Sequence, residues 1–269
     1  NSNAKNEGSL NMLEEFIVTM SALDRQRRVR VYLPKSYENS TKHYPVLYMH
    51  DGQNLFQDEE SFFGTSWRIT DCLQESCLDI IIVGIDCNGE GTKRFDEYGP
   101  WISNKTINRG LSLDETIDLG GEGEKYIDFI VKELKPHIDN KYRTLTDDTA
   151  SAGSSSGGLI STYAMVKYPS IFRRVAALSS AYWLNQLEIE RFAKISNLSN
   201  IKYFYFDVGT KESTVTFDSK AYIESNLSFK TVIEEKGINY QFKIIEGAPH
   251  NEIAWRERFP NILRYLYTS

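Results

Sequence analysis

Residues 151–158 read Ser-Ala-Gly-Ser-Ser-Ser-Gly-Gly and lie between a β-prone run and a helical one. Few backbones accept that arrangement. A chain that leaves a strand and enters a helix through one sharp turn presses together the residues two before and two after it. Glycine at both places removes the side chains that would collide. Of the three consecutive serines only Ser155 has this flanking, by Gly153 and Gly157. Such a turn presents the Ser155 hydroxyl at the edge of a sheet, facing the N–H groups and positive dipole end of the following helix. The competing reading is a phosphate loop, but no Gly-Lys-Ser/Thr follows, so a Walker-type loop is excluded.

The rest of the chain supplies the sheet. Candidate strands cover Glu15–Met20, Arg27–Leu33 (ended by Pro34), Val46–Met49, Asp79–Ile85, Thr149–Ala152, Val175–Ser179, Tyr203–Val208 and Tyr240–Ile245. Helical signals cover Trp67–Glu75, Tyr126–Ile138, Gly157–Lys167, Tyr222–Lys236 with Gly237 closing it, and Glu252–Tyr267, which Pro260 should bend or break. Strands alternating with helices predict right-handed βαβ units: an α/β fold with a mostly parallel central sheet and an antiparallel N-terminal start. Ligands on such sheets bind at the carboxyl ends of the strands. The one long irregular connection, Asp86 to about Gly123, is expected to lie over that end as a lid or binding loop. The whole chain, 1–269, is read as one domain with a flexible start over 1–12.

Composition narrows the function. A net charge of −6 argues against a broad nucleic-acid-binding face, which needs clustered Lys and Arg. No run approaches the roughly 18 apolar residues of a membrane span. The polar start, NSNAKNEGSLN, is no signal peptide. Cys72, Cys77 and Cys87 are an odd count without metal-site spacing, and read as free thiols. Together these give the expectation of a cytoplasmic protein with no metal, no cofactor, and neither nucleic-acid nor membrane partners.

An exposed serine on this turn becomes a nucleophile when a histidine takes its proton and an acid holds the histidine. The chain order for this fold is Ser, then Asp or Glu, then His. Three of the four histidines, His43, His50 and His137, precede Ser155, which leaves His250 in the loop after the last strand. His43 and His137 read as solvated, and His50 as part of the loop before Gly52. For the acid, Glu212 in the loop past the strand is favoured, with Asp207 inside the strand and Asp218 as alternatives. The oxyanion donors should be the backbone N–H of Ser156 and that of Gln53, with Gly52 close behind.

These residues carry a family resemblance. RVRVYLP (28–34), YPVLYMHDGQNLF (44–56), RFDEYGPW (94–101), KELKPHIDNKYRT (132–144), AGSSSGGLIS (152–161), DVGTKE (207–212) and PHNEIAWRERFP (249–260) span nearly the whole chain in order. The sequence resembles the Putative esterase family of α/β hydrolases, the group of esterase D, feruloyl, acetyl-xylan and siderophore esterases. The resemblance implies a three-layer α/β-hydrolase sandwich and hydrolysis of a small-molecule or carbohydrate-linked acyl ester. It matches Ser155 to the family nucleophile, His250 to its histidine and Glu212 to its acid, which is more often Asp. Ser156 stands where relatives more often carry Met or another bulky residue. An acyltransferase on the same fold and a non-catalytic binding scaffold are the alternatives.

Two weaker signals remain. Trp67, Tyr98, Trp101, Tyr182 and Trp183 are candidates for a stacking surface, with Trp183, Tyr98 and Trp101 foremost. Asp86, Asn88, Glu90, Gly91 and Glu97 fall at calcium-loop positions, but a strand precedes them where a helix is required, so a loop over the active site is the better reading.

Overall fold

The computed structural model describes residues 12–103, 118–213 and 218–269. Period-2 alternation inside single strands shows how its layers form. Along β3 (Tyr44–His50), Tyr44, Val46 and Tyr48 enter one apolar core while Leu47 and Met49 enter another. Along β4 (Ile81–Ile85), Ile81, Val83 and Ile85 face the first core and Ile82 the second. Side chains of a strand point alternately to the two faces, so a run that is apolar throughout needs cover on both. The sheet is therefore the middle layer of three.

The other strands are β1 (Leu13–Met20), β2 (Arg25–Tyr32), β5 (Thr144–Ser154), β6 (Phe172–Leu178), β7 (Tyr203–Lys211) and β8 (Tyr240–Pro249). All eight join one sheet in the order β1-β2-β4-β3-β5-β6-β7-β8. β1 pairs antiparallel with β2 and β2 with β4, and every other pairing is parallel. The order reverses direction at β3, which puts the ends of β3, β5 and their neighbours at the switch point where open α/β sheets bind ligands.

The helices are α1 (Ile69–Ser76), α2 (Lys93–Tyr98), α3 (Gly123–Phe129), α4 (Lys135–Lys141), α5 (Ser156–Lys167), α6 (Gln186–Ile195), α7 (Ser219–Lys236) and α8 (Glu252–Leu266). Apolar residues of α3 to α7 fill the first core, and those of α1 and α8 fill the second.

Several elements differ from the sequence reading. α3 and α4 are one helical run interrupted by a π-turn, Ile130–Leu134. Pro136 has no N–H to return to the Lys132 carbonyl and its ring would strike that oxygen, so the helix opens by one residue. α8 passes through Pro260 without breaking. The carbonyl that Pro260 cannot serve, that of Arg256, accepts the Cys72 thiol at 3.8 Å. α6 and the short α2 were not expected. β5 begins five residues early because Thr144 pairs with Tyr44 across a register shift, a pairing its exposed residues Leu145, Thr146 and Asp147 do not advertise. No helix among the described residues is long and apolar enough to cross a membrane. The expected flexible start, apart from Met12, and residues 104–117 of the long connection lie outside the described residues.

Candidate active site

Ser155 stands alone between β5 and α5 with φ 58° and ψ −122°. A side-chain-bearing residue held there costs on the order of 1–3 kcal/mol and persists only where its surroundings over-determine it. Four hydrogen bonds do so. The Ser155 N–H donates to the Leu178 carbonyl at 3.0 Å, and its carbonyl accepts from Gly158 (3.0 Å), Leu159 (3.2 Å) and Ala181 (3.0 Å). A side chain at Gly153 would put its Cβ 2.5 Å from the Gly157 carbonyl oxygen, so the position before the turn demands glycine. Gly157 is different from expectation: a Cβ there meets Asp51 and His50 at ordinary contact distances, 3.5 and 3.6 Å. The clash lies at the first glycine alone.

His250 follows β8 directly, ahead of α8, whose N-cap Asn251 accepts the Ala254 N–H. Its Nδ1 lies 2.7 Å from Glu212 Oε2. The ends of β7 and β8 approach so closely there that a Cβ on Gly209 would fall 2.2 Å from the Ala248 carbonyl oxygen. That approach brings Glu212 under His250. Glu212 is fully buried, and its other oxygen accepts the Gly209 N–H (2.8 Å) and the Ser179 hydroxyl (2.5 Å).

The alternative acids have other partners. Asp207, also fully buried, is clamped by Arg258 at 2.7 and 2.9 Å and accepts the Tyr205 hydroxyl at 2.6 Å. Asp218 is the N-cap of α7, accepting the Ala221 N–H at 2.8 Å. Ser179, which nothing in the sequence singled out, ties the layer together. Its oxygen accepts from the Trp255 indole (2.8 Å) and from Arg258 (3.0 Å) while its hydroxyl donates to Glu212.

On the other side of Ser155, Asp51 sits at the end of β3 with φ 56°. Burial alone would push its carboxyl up, but Arg94, bound through both oxygens at 2.8 and 2.7 Å, outweighs it and holds the group below the usual carboxylate range. The Asp51 N–H donates to the Tyr98 hydroxyl at 2.9 Å. Ser156 opens α5 and Gly52 opens a short 3-10 turn, Gly52–Asn54. The first N–H groups of such turns have no partner within the turn, which leaves those of Ser156, Gly52 and Gln53. The Gln53 side chain turns away: its Oε1 accepts the Cys87 N–H at 3.0 Å and its Nε2 donates to the Cys87 sulfur at 3.4 Å. His50 is buried behind the turn, sharing hydrogen bonds with Tyr126 (2.7 Å) and Ser151 (3.3 Å). Burial depresses its pKa to about 3, so it is neutral.

Ser155 and His250 line a cavity of about 570 Å³. Its polar lining includes Asp51, Asn54, Arg94 and Glu252, and its aromatic wall is Phe62, Phe63, Phe95 and Trp255. The aromatics expected at this surface are elsewhere. Tyr98 is fully buried beneath Arg94. Trp101 packs edge-on against Tyr163 and Phe192. Trp183 stands behind Tyr222, whose ring lies 5.4 Å from that of His250 and whose hydroxyl meets the side chains of Ser155 and Trp183. Burial raises the Tyr222 pKa to about 12 and keeps it a hydroxyl donor. Tyr222, the adjacent Phe62 and Phe63, Phe95 and Trp255 come from four segments with no shared spacing, so no local pattern marks them.

The Asp86–Glu97 stretch borders the cavity through Asn88, Gly89, Gly91, Arg94 and Phe95. Its carboxylates hold guanidinium groups: Asp86 pairs with Arg30 at 2.9 and 3.1 Å, and buried Glu97 pairs with Arg25 (2.8 Å) and Arg27 (2.6 and 2.7 Å). Among the described residues no group of three or more His, Cys, Asp or Glu could hold a metal ion.

The chain is similar to several known proteins. Uncharacterized protein YbbA of Bacillus subtilis (strain 168) is 29% identical over 255 residues, covering 90% of this chain and 92% of its own. An IroE-like serine hydrolase from Shewanella oneidensis superposes with a TM-score of 0.74 at 21% identity, over 93% of this chain and 78% of that one. A ferulic acid esterase superposes with a TM-score of 0.68 at 20% identity, over 94% and 98%. The family model described as Putative esterase matches residues 20–266, nearly the full length, and the chain therefore belongs to that family: it is an ester-bond hydrolase on the α/β-hydrolase fold.

Proposed function

We propose that the chain is a serine esterase that cleaves carboxylic esters through an acyl-enzyme, with Ser155 as nucleophile, His250 as general base and Glu212 as the acid that orients it. The observation that carries this reading is the 2.7 Å contact between His250 Nδ1 and a fully buried Glu212, at a cavity that also holds Ser155 on its strained turn. With Nδ1–H donated to Glu212, Nε2 of His250 is left to take the Ser155 proton. Attack on the ester carbonyl gives a tetrahedral oxyanion, received by the N–H groups of Ser156 and Gln53, with Gly52 beside it. Collapse breaks the ester C–O bond, and the imidazolium gives its proton to the departing alcohol. Water, deprotonated by His250, then releases the acid and restores Ser155.

The cavity volume suits a small organic ester. A fluorophosphonate probe followed by peptide mapping tests the reading, together with a panel of p-nitrophenyl and feruloyl esters. The expected outcome is label on Ser155 alone, with hydrolysis lost in proportion to labelling. Label on Ser154, or full activity after labelling, would reject it.

A further inference from the structure

Glu252 is the one carboxylate of the cavity lining that makes no ion pair among the described residues. It opens α8, is 7% exposed, and lines the same cavity as Ser155 and His250. Its carboxylate accepts its own backbone N–H. No side chain among the described residues pairs with it. The other charges of the lining, Asp51 and Arg94, cancel each other through two hydrogen bonds. With His250 neutral, as a base must be, the cavity carries one uncompensated negative charge. A buried carboxylate without an ion-paired partner is costly: burial, with Asp51 nearby, pushes this one above the usual carboxylate range, although its own backbone N–H, His250 and Arg94 act the other way. Four aromatic rings line the same cavity, Trp255 one helical turn from Glu252 on α8 and two others exposed: Phe62 at 53% and Phe63 at 80%. Aromatic faces attract cations and do nothing for anions. A chain of net charge −6 also draws cations toward its surface.

We propose that Glu252 and this aromatic wall form a cation subsite, and that the preferred substrates are esters carrying a protonated amine. The proposal rests on the esterase reading for its location and is tested apart from it. Two measurements serve. The first is binding to Ser155→Ala protein, by calorimetry, of protonated phenethylamine against its neutral near-isostere 2-phenylethanol. The second is kcat/KM for the p-nitrophenyl ester of 3-aminopropanoate against that of butyrate, corrected for spontaneous hydrolysis, in the wild type and in Glu252→Gln.

The cation should bind at least about tenfold more tightly than the alcohol, and the amino ester should be favoured by a similar factor. Glu252→Gln, made in both backgrounds, should bring both ratios near one. Equal binding of amine and alcohol, or ratios unmoved by Glu252→Gln, overturns the subsite while leaving hydrolysis intact. Tighter binding of the alcohol overturns it in favour of a hydroxyl-recognising carboxyl group. Cation binding that depends on Glu252 without hydrolysis of either ester upholds the subsite and rejects the esterase reading.

Discussion

The two sides of Ser155 are built differently. On the acid side, the carboxylates of Asp207 and Glu212 are fully buried and fully partnered, by Arg258, Ser179, the Gly209 N–H and His250. On the cavity side, Phe62 and Phe63 are exposed, and the Glu252 carboxylate makes no side-chain ion pair among the described residues. The first arrangement holds the His250 imidazole against a buried, hydrogen-bonded carboxylate, which is the positioning that the proposed proton transfer requires. The second leaves aromatic and charged surface open to the cavity. On the proposed esterase reading, substitutions on the acid side should change turnover, and on the cavity side selectivity.

The largest expected effect tests where the two sides meet. Ser155→Ala should lower ester hydrolysis by at least about 10³, while Ser154→Ala, one residue away and lining the same cavity, should lose only a few-fold. Steady-state rates on p-nitrophenyl acetate decide it. Equal losses would mean that the turn does not select Ser155.

Next in size is the acid side. In Glu212→Gln the amide oxygen can keep the Gly209 and Ser179 bonds, so the fold should survive. The amide nitrogen would then face His250 Nδ1 as a donor and force the imidazole proton onto Nε2, the wrong place. Turnover should fall by roughly 10²–10⁴ with little change in Tm. Asp207→Asn should do the reverse. It leaves Arg258 without its buried counter-charge and should cost about 3–5 kcal/mol of stability, with a far smaller change in kcat for the folded fraction. Denaturant titration beside kinetics separates the two. If Asp207→Asn were the worse catalyst, the division of labour between these carboxylates would be reversed.

Much of the acid side was legible because its constraints are local or ordered along the chain. Gly153 with Ser155 marks a turn that admits little else, only one histidine follows Ser155, and Glu212 sits in the loop past its strand. Asp207 stayed an alternative but was less favoured because a residue inside a strand points across the sheet, where it does meet Arg258. Ser179 was hidden: its value lies in a positive φ and four partners, which no neighbour in sequence reveals. The cavity side was hardly legible at all. Phe62, Phe95 and Trp255 meet from three segments, and the expected aromatics Tyr98, Trp101 and Trp183 are drawn into packing and hydrogen bonds instead. Pro260 misled for a related reason, since the carbonyl it orphans finds the distant Cys72.

A smaller effect is expected at the cavity rim. Phe63, at 80% exposure, has little to lose from the fold, so Phe63→Ala should leave Tm unchanged within error and raise KM a few-fold, with kcat nearly constant. A fall in kcat equal to the rise in KM would show the rim acting on the transition state and blur the contrast between the two sides.

The smallest expected effect is none. The Asp86–Glu97 connection has acidic residues at calcium-loop spacing, and a structural cation there would make the cavity side as rigid as the acid side. Its two end carboxylates already have cationic partners: Arg30 takes both oxygens of Asp86, and Arg25 and Arg27 take those of Glu97. A calcium ion would have to displace three guanidinium groups: Arg25 would keep Glu122 and Arg30 would keep Glu15 and Glu60, but buried Arg27, which has no other carboxylate partner among the described residues, would be stranded without a counter-charge. Chelator should therefore change neither the hydrolysis rate nor Tm, and added calcium should raise neither. A calcium-dependent rise in Tm that saturates at one ion per chain would show that the arginines yield, and would place a metal beside Arg94 and Phe95 on the cavity side.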